Sequence, residues 1–353
     1  MEIFLNILFL IIGMVLLIKG ADFFVSGASA VAKKLKVPSI IIGLTIVALG
    51  TSLPELAVSV TSAIKGSVDL SVGNIVGSNI ANMCLILGMS ALFNTMKLSD
   101  NTRKFDLPFM VLVTGVLLLF SCDVLLDGGS QAIVSRSESI LLLGLLVFYT
   151  ITQIKHTKSE NQFCESNQPV VEKTDLTSEK SSETINNEKE EKPAEQKQEK
   201  ELKVWQIILY LVFGLAAVVF GGECVSSTAK FLAIKAGMSE ALVGLTIVAV
   251  GTSLPELATS VIAARRNETD LALGNVIGSN IVNIVLILGV VGTISPMTMS
   301  LTILTDLVIL FVFTLVFVAM SLRKKQVGKL EGIILIGMYV SYITFAVIRN
   351  YCF

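Results

Sequence analysis

One segment of this chain is written twice. Residues 43–88 read GLTIVALGTSLPELAVSVTSAIKGSVDLSVGNIVGSNIANMCLILG, and residues 244–289 read GLTIVAVGTSLPELATSVIAARRNETDLALGNVIGSNIVNIVLILG. Thirty of the 46 aligned positions are identical, at a constant offset of 201. Each copy places an acidic residue, Glu55 or Glu256, inside an otherwise apolar stretch. The duplication predicts two related halves, and the two carboxylates predict one site that both halves share.

Apolar residues dominate the chain. They make up 53% of its 353 residues and recur in long runs along its whole length. Such runs are typical of membrane-spanning helices, whereas the strands of an outer-membrane barrel alternate polar and apolar residues. The sequence therefore predicts an all-α integral membrane protein with ten transmembrane helices. The predicted spans are 3–32, 38–64, 70–93, 105–122, 137–155, 204–233, 239–264, 271–294, 300–321 and 330–350.

A polar segment separates the two halves. Residues 156–203 are rich in Glu, Lys, Ser, Asn and Gln and cannot bury a core, so we expect a charged, disordered linker. A regulatory ion-binding loop is the alternative, but the segment has mixed charges and no metal-ligand spacing. The first five-helix half is then 1–155, with its core repeat at 43–88, and the second is 204–353, with its core repeat at 244–289.

Basic residues mark one side of the predicted membrane. They cluster in the loops that follow spans one, three, five, seven and nine, and the opposite loops hold few. Because short cytoplasmic loops carry the excess of Lys and Arg, we expect both termini outside and the linker in the cytoplasm. Five spans per half is an odd number, so the second half enters the membrane upside down. Inverted repeats of this kind are typical of secondary transporters, whose substrate site lies near the midplane.

The motif GTSLPE ends at Glu55 in the first copy and at Glu256 in the second. Its prolines, Pro54 and Pro255, lack an N–H and interrupt a helix. Broken backbone at membrane depth is tolerated where it lines a polar cavity. We expect each break to free a carbonyl oxygen, to add hydroxyl oxygens, and to place the glutamate at a helix start, where the dipole favours an anion. The residues concerned are Ala48, Thr51, Ser52 and Glu55, and their counterparts Ala249, Thr252, Ser253 and Glu256.

The two glutamates need a compensating charge. A charged carboxylate near the bilayer centre costs about 2.5–3.5 kcal/mol on insertion scales, and no Lys or Arg lies beside either motif. A bound cation is the nearest compensator, and an all-oxygen ligand set suits hard ions such as Ca²⁺ and Na⁺. The alternative is a protonated glutamate that only caps the restarted helix.

The second motif, GNIVGSNIAN or GNVIGSNIVN, lies on spans three and eight. Ser78 and Asn82 are four residues apart and share one helix face, as do Ser279 and Asn283. We expect both asparagines to line the cavity and the glycines to allow close helix packing.

Asp22 and Glu223 occupy matched places on spans one and six. We interpret them as candidates for vestibule or gating groups; the alternative is a pair of ordinary helix-end polar residues.

The two segments resemble the α-repeats of the calcium/cation antiporter superfamily, which contains the sodium/calcium exchangers. The resemblance covers both repeats and fits ten spans in two inverted halves. It implies exchange of Na⁺ for Ca²⁺ by alternating access, with these ions and the lipid bilayer as partners, no cofactor, no nucleic acid, and spans one and six as sliding gate helices. The calcium ligands it implies are the carboxylates of Glu55 and Glu256 and the carbonyls of Thr51 and Thr252. The sodium ligands it implies are Ser52, Ser78, Ser253 and Ser279, with the carbonyls of Ala48 and Ala249.

The asparagine pair bears on potassium. Potassium-dependent members of the superfamily carry an aspartate at the position of Asn283, so Asn82 and Asn283 argue for an exchanger that does not need potassium.

Three other functions stay open at this stage. A proton/calcium antiporter would use the same glutamates without the hydroxyl groups. A cation channel lined by the same residues would not couple its flux to a second ion. An intramembrane hydrolase built on Ser52 or Ser253 would need a His or Lys base, which the sequence does not place there.

Overall fold

The computed structural model describes residues 2–122, 132–166, 202–237 and 249–352. Helices dominate these residues, because an apolar run in lipid must satisfy its backbone hydrogen bonds within itself. The helices are α1 Glu2–Leu35, α2 Ser39–Thr51, α3 Leu53–Ile64, α4 Val68–Phe93, α5 Leu107–Phe120, α6 Arg136–Ser166, α7 Val204–Lys235, α8 Ala249–Gly251, α9 Leu254–Arg265, α10 Thr269–Ile294, α11 Leu301–Lys324 and α12 Lys329–Cys352. The strands are β1 Met96–Lys97, β2 Ala132–Val134, β3 Met297–Met299 and β4 Gln326–Val327.

Seven helices among the described residues are long and apolar enough to cross a membrane: α1, α4, α6, α7, α10, α11 and α12. Helices α2 and α3 form a bent pair, with 45° between them, that counts as an eighth span. Of the two other predicted spans, the fourth contains the shorter helix α5, and the one at 239–264 is described only from Ala249 onward. The chain is therefore a mostly helical, multi-pass membrane protein.

The bend between α2 and α3 falls at the predicted place. Ser52 leaves the helical region, with φ −83° and ψ 6°, and Pro54 stands in the first turn of α3. The second copy repeats this arrangement, with Ser253 at φ −91° and ψ 7° and Pro255 at the start of α9. Each GTSLPE motif thus ends one helix segment and begins another.

Helices α4 and α10 form the centre of the molecule, and α1 and α7 lie at its periphery. Large apolar side chains such as Phe4 and Phe213 are exposed on the outer helices, which suits contact with lipid. The two outer helices pack backbone to backbone: Gly13 lies against Cys224, and Gly27 against Leu211. Because the residue number rises along α1 as it falls along α7, the two helices are antiparallel.

Two small antiparallel ribbons join the ends of the helices, and the sequence did not predict them. Strand β1 pairs with β4, with Met96 opposite Val327, and β2 pairs with β3, with Ile133 opposite Thr298. Each ribbon takes one strand from each half of the chain.

Helix α6 continues to Ser166, into the segment 156–203 that the sequence assigns to a linker. Residues 156–166 contain neither Gly nor Pro, so nothing in their sequence stops the helix at the end of the span. The expected disorder of the rest of the linker concerns residues 167–201, which lie outside the described residues.

Candidate cation site

The two glutamates lie at the starts of two half-helices. Glu55 is in the first turn of α3 and Glu256 in the first turn of α9, and both side chains are 0% exposed. Unpaired N–H groups and the positive end of the helix dipole favour an anion at such a position. The prolines of the motif set these helix starts, because a proline is tolerated in the first turn but not further along.

Each glutamate binds the serine of the other half. The Ser52 hydroxyl donates to Oε1 of Glu256 at 3.1 Å, and the Ser253 hydroxyl donates to Oε1 of Glu55 at 3.3 Å. The two GTSLPE motifs, 201 residues apart in sequence, therefore meet in one buried place.

Several buried polar atoms of the predicted site residues have no hydrogen-bond partner among the residues that the structure describes. They are Oε2 of Glu55, Oε2 of Glu256, both amide atoms of Asn82, Oδ1 of Asn283 and Oγ of Ser279. Within the same residues, no Lys or Arg forms an ion pair with either glutamate. Buried polar atoms are rarely left unpaired in native proteins. Because most of the unpaired atoms are oxygens, the arrangement suits a cation.

The asparagines of the second motif lie on α4 and α10. Asn82 lies in a π-helical segment, Ala81–Ile86, and Asn283 begins another, Asn283–Leu288. A π-segment widens the helix locally, and such segments are frequent at functional sites. The amide of Asn283 donates to Oδ1 of Asn79 at 3.0 Å, so this hydrogen bond joins α10 to α4.

Glycines bring α10 close to α2, as predicted for the GxxxG pair of the second copy, Gly274 and Gly278. A Cβ on Gly274 would stand 2.4 Å from the Ile40 carbonyl, and one on Gly278 would stand 2.8 Å from the Leu44 backbone. The repeat offset of 201 predicts that Gly73 and Gly77 contact residues 241–249 in the same way. Most of these residues lie outside the described part of the chain.

The carbonyl of Ala48 differs from the expectation. It accepts the backbone N–H of Ser52 at 3.1 Å, so the break does not leave it free. The physical reason is that the donor missing from the ladder is that of Pro54, whose helical partner would be Gly50 rather than Ala48. A carbonyl has a second lone pair, so Ala48 can still hold an ion. Ala249 begins α8, and its side chain lies outside the described residues.

Two asparagines that the sequence reasoning did not single out belong to this region. The Thr51 hydroxyl lies 3.2 Å from Oδ1 of Asn275, and the Thr252 hydroxyl lies 3.4 Å from Oδ1 of Asn74. A signal was present: both asparagines are identical in the two copies, and each lies four residues before a predicted site serine, on the same helix face.

Asp22 and Glu223 bond to groups other than the glutamate pair. Asp22 forms an ion pair with Arg266 at 2.5 Å, whereas Glu223 is exposed and accepts a hydrogen bond from Ser227 of its own helix at 3.0 Å. The repeat-related positions thus differ in their contacts.

A family model described as sodium/calcium exchanger protein matches residues 5–155 and 206–348. A putative antiporter, CaxA, from Alkalimonas amylolytica is 37% identical over 342 residues, which cover 95% of this chain and 96% of that protein. The sodium/calcium exchanger MaX1 from Methanosarcina acetivorans is 35% identical, covering 96% of this chain and 97% of that protein.

The fold also matches a solved structure. The sodium-calcium exchanger NCX_Mj, soaked with Na⁺ and Ca²⁺, superposes with a TM-score of 0.76 at 27% identity, covering 96% of this chain and 98% of that one. Family model, relatives and fold agree over nearly the whole chain. The protein therefore belongs to the sodium/calcium exchanger family, whose members are membrane transporters rather than enzymes.

Proposed function

We propose that this protein is a secondary antiporter that exchanges Na⁺ for Ca²⁺ by alternating access at one central site. The observation that carries the proposal is the exchange of partners between the halves, in which Ser52 binds Glu256 and Ser253 binds Glu55. Each carboxylate keeps one buried oxygen without a partner among the described residues. A divalent cation between these oxygens neutralises both charges at once.

The proposed ligands follow from their chemistry. Ca²⁺ takes carboxylate and carbonyl oxygens, and Na⁺ can be held by hydroxyl and carbonyl oxygens that surround the same carboxylates. The two ions then compete because they use shared oxygens, and the coupling comes from their different affinities for the outward-facing and inward-facing states. The proposed set is Glu55, Glu256, Thr51, Thr252, Ser52, Ser253, Ser78, Ser279, Asn82, Asn283, Ala48 and Ala249.

Ten spans in two inverted halves are part of the proposal. Six predicted spans separate β1 from β4, and four separate β2 from β3, so each strand pair lies on one side of the membrane in this topology. The antiparallel packing of α1 on α7 supports the same arrangement, since the first helix of each half must then cross in opposite directions. In this scheme the halves are 1–155 and 204–353.

The orientation is proposed from the loop charges. Lys and Arg favour the side of the β1–β4 ribbon, so this side and the linker 156–203 are cytoplasmic, and both termini are outside.

We propose sodium rather than protons as the coupling ion, because the hydroxyl groups at the glutamates have no use in proton binding. A relative that covers 96% of the chain is itself named a sodium/calcium exchanger. Potassium is not required in this proposal, because Asn82 and Asn283 bring no third carboxylate to the site.

The test is calcium uptake into proteoliposomes that contain the purified chain. An outward sodium gradient should drive uptake, whereas a proton gradient or added potassium should not change it. Uptake driven by protons alone would show a proton/calcium antiporter, and calcium flux indifferent to any second gradient would show a channel.

A further inference from the structure

Asn275 links two helices at the edge of the site. Its side chain is 0% exposed, and its Nδ2 donates to the Ser260 hydroxyl at 2.8 Å. Because Nδ2 can only donate, this bond turns the amide so that Oδ1 points the other way, toward Thr51 of the opposite half at 3.2 Å. Oδ1 can only accept, so Thr51 must be the donor.

Asn74 makes the same set of contacts in the other half. Its Nδ2 donates to the Ser59 hydroxyl at 3.3 Å, and its Oδ1 accepts from the Thr252 hydroxyl at 3.4 Å. The arrangement thus occurs twice, and each time an asparagine connects a serine of its own half to a threonine of the other.

We propose that Asn74 and Asn275 are positioning residues that set the direction of the hydroxyl protons, so that oxygen lone pairs rather than protons face the bound cation. The proposal rests on the proposed exchange function and assigns these two residues to its sodium selectivity.

The Thr51 hydroxyl shows how this direction matters. It has one proton and four acceptors close by: the Val47 carbonyl at 3.1 Å, the Ala48 carbonyl at 3.4 Å, Oδ1 of Asn275 at 3.2 Å and the Glu256 carboxylate. A proton given to Asn275 is not given to Ala48. The Ala48 carbonyl, already bonded to the N–H of Ser52, then keeps its remaining lone pair for an ion.

Asn74 orients the Ser78 hydroxyl indirectly, through the hydroxyl of Thr252. Thr252 donates its single proton to Asn74, so Thr252 can only accept from Ser78, whose Oγ lies 3.5 Å away. Ser78 then points its proton toward Thr252 and leaves both of its lone pairs for the cation. Without Asn74, the proton of Thr252 is free to turn toward Ser78.

The two ions should respond differently to the loss of this control. Ca²⁺ is held mainly by the charged carboxylates, whereas Na⁺ relies more on the neutral hydroxyl and carbonyl oxygens. We therefore expect Asn275→Ala to raise the sodium concentration that displaces half of the bound calcium by about three- to tenfold, which is the effect of one lost hydrogen bond. The calcium affinity measured without sodium should change by less than about twofold.

The experiment measures calcium binding to the purified full chain in detergent, with and without a sodium titration. Asn94→Ala is the matched control, because Asn94 also bonds across the halves, to Asn267 at 2.8 Å, but at the helix end. It should leave both affinities unchanged. Ser260→Ala is a second variant, which keeps Asn275 but removes the hydroxyl that holds its amide in place. It should also raise the sodium concentration that displaces half of the bound calcium.

A double variant tests whether Asn275 acts through Thr51. Its first change, Thr51→Val, removes the side-chain hydroxyl and keeps the backbone carbonyl. If Asn275 acts through Thr51, the double variant Thr51→Val, Asn275→Ala should be no worse in sodium affinity than Thr51→Val alone. If the losses of sodium affinity add in the double variant, this inference is overturned and the proposed function is not. The same holds if Asn275→Ala and Ser260→Ala weaken sodium and calcium binding equally. Bound calcium that sodium does not displace from the unaltered protein overturns the proposed function as well.

Discussion

At the scale of single residues, the unusual feature is a pair of fully buried carboxylates that each have one satisfied and one unsatisfied oxygen. Glu55 and Glu256 accept one serine hydroxyl each, and no basic side chain among the described residues forms an ion pair with them. A buried charge without a partner is strongly destabilising. A bound cation relieves this cost, so the closed form of the site is expected to favour the occupied state.

The glutamates should therefore be indispensable to transport. We expect Glu55→Gln or Glu256→Gln to lower sodium-driven calcium uptake by more than the ~10–100-fold that loss of a supporting residue costs a metal site. Glu2→Gln is the control, because this glutamate is exposed at the start of α1. Full uptake in either site variant contradicts the assignment of the glutamates.

The serine hydroxyls should matter more for sodium than for calcium. The double variant Ser52→Ala, Ser253→Ala removes one neutral oxygen and one hydrogen bond from each side of the site, and we expect about a tenfold or greater loss of sodium affinity. Sodium dependence of calcium uptake is the measurement, and Ser341→Ala, an exposed hydroxyl bonded to its own helix, is the control. An unchanged sodium dependence would favour coupling to protons.

Prediction from sequence worked best where a residue type was itself unusual. A glutamate or a proline in an apolar run is conspicuous, and the structure brings the two glutamates into contact with Ser52 and Ser253. Asn74 and Asn275 were missed because an asparagine in a membrane helix has several uses, and its partners in the other half are known only from the packing. The Ala48 carbonyl was expected to be free because the exact hydrogen bond lost at the break depends on local geometry.

At the scale of helices, α1 and α7 are held together by glycines. A Cβ on Gly221 would stand 2.5 Å from the backbone nitrogen of Leu17. We expect Gly221→Ala to lower the free energy of unfolding by about 1–3 kcal/mol, as overpacking does. Gly337→Ala in α12 is the control, because no atom of the described residues lies within 4 Å of its added methyl group, and alanine is favoured over glycine in a helix by ~0.5–1 kcal/mol. Melting temperatures in detergent should shift in opposite directions.

The end of α1 is tied to the loop between α9 and α10. Arg266 pairs with Asp22, and the Ser29 hydroxyl donates to Glu268 at 2.5 Å. The repeat-related residues Glu223 and Lys65, both described in the structure, form no ion pair with each other. Of the two proposed gate helices, α1 is therefore held by an ion pair at Asp22, and α7 has no such ion pair between Glu223 and Lys65.

Releasing this tie should loosen α1 locally. Both partners of the ion pair are 38% exposed, so Arg266→Ala should change the stability by no more than ~1 kcal/mol. Hydrogen exchange in residues 22–35 should nevertheless become faster. Arg265→Ala is the matched control, since the guanidinium of Arg265 lies over the Phe93 ring. Equal exchange in both variants contradicts a holding role for Arg266.

At the scale of the whole molecule, the strand ribbons relate distant loops to one another. Because β1 pairs with β4, the loops after α4 and α11 must lie on the same side of the membrane, and the β2–β3 pair places two other loops together. The sequence did not predict these strands, which are two or three residues long and gain their stability from a partner in the other half.

Cysteine labelling should separate the two sides. In a variant whose five native cysteines are replaced, a membrane-impermeant maleimide should label Thr298→Cys in intact cells. Asp100→Cys should react only after the membrane is opened, and Gln326→Cys, in the strand paired with β1, should behave like it. Labelling of all three from outside would overturn the ten-span orientation.

The sequence by itself determined the class of protein, the duplication and the identity of the conspicuous polar residues. These are local properties: apolar runs of membrane length require helices, prolines break them, and a carboxylate in lipid needs a compensating charge. The tertiary structure decided which groups meet. The exchange of serine and glutamate between the halves, the two asparagines that bond to the opposite threonines, and the strand ribbons all join residues roughly 160 to 230 positions apart. Such contacts depend on how the helices pack, and a pattern along one helix does not specify the face that its partner presents.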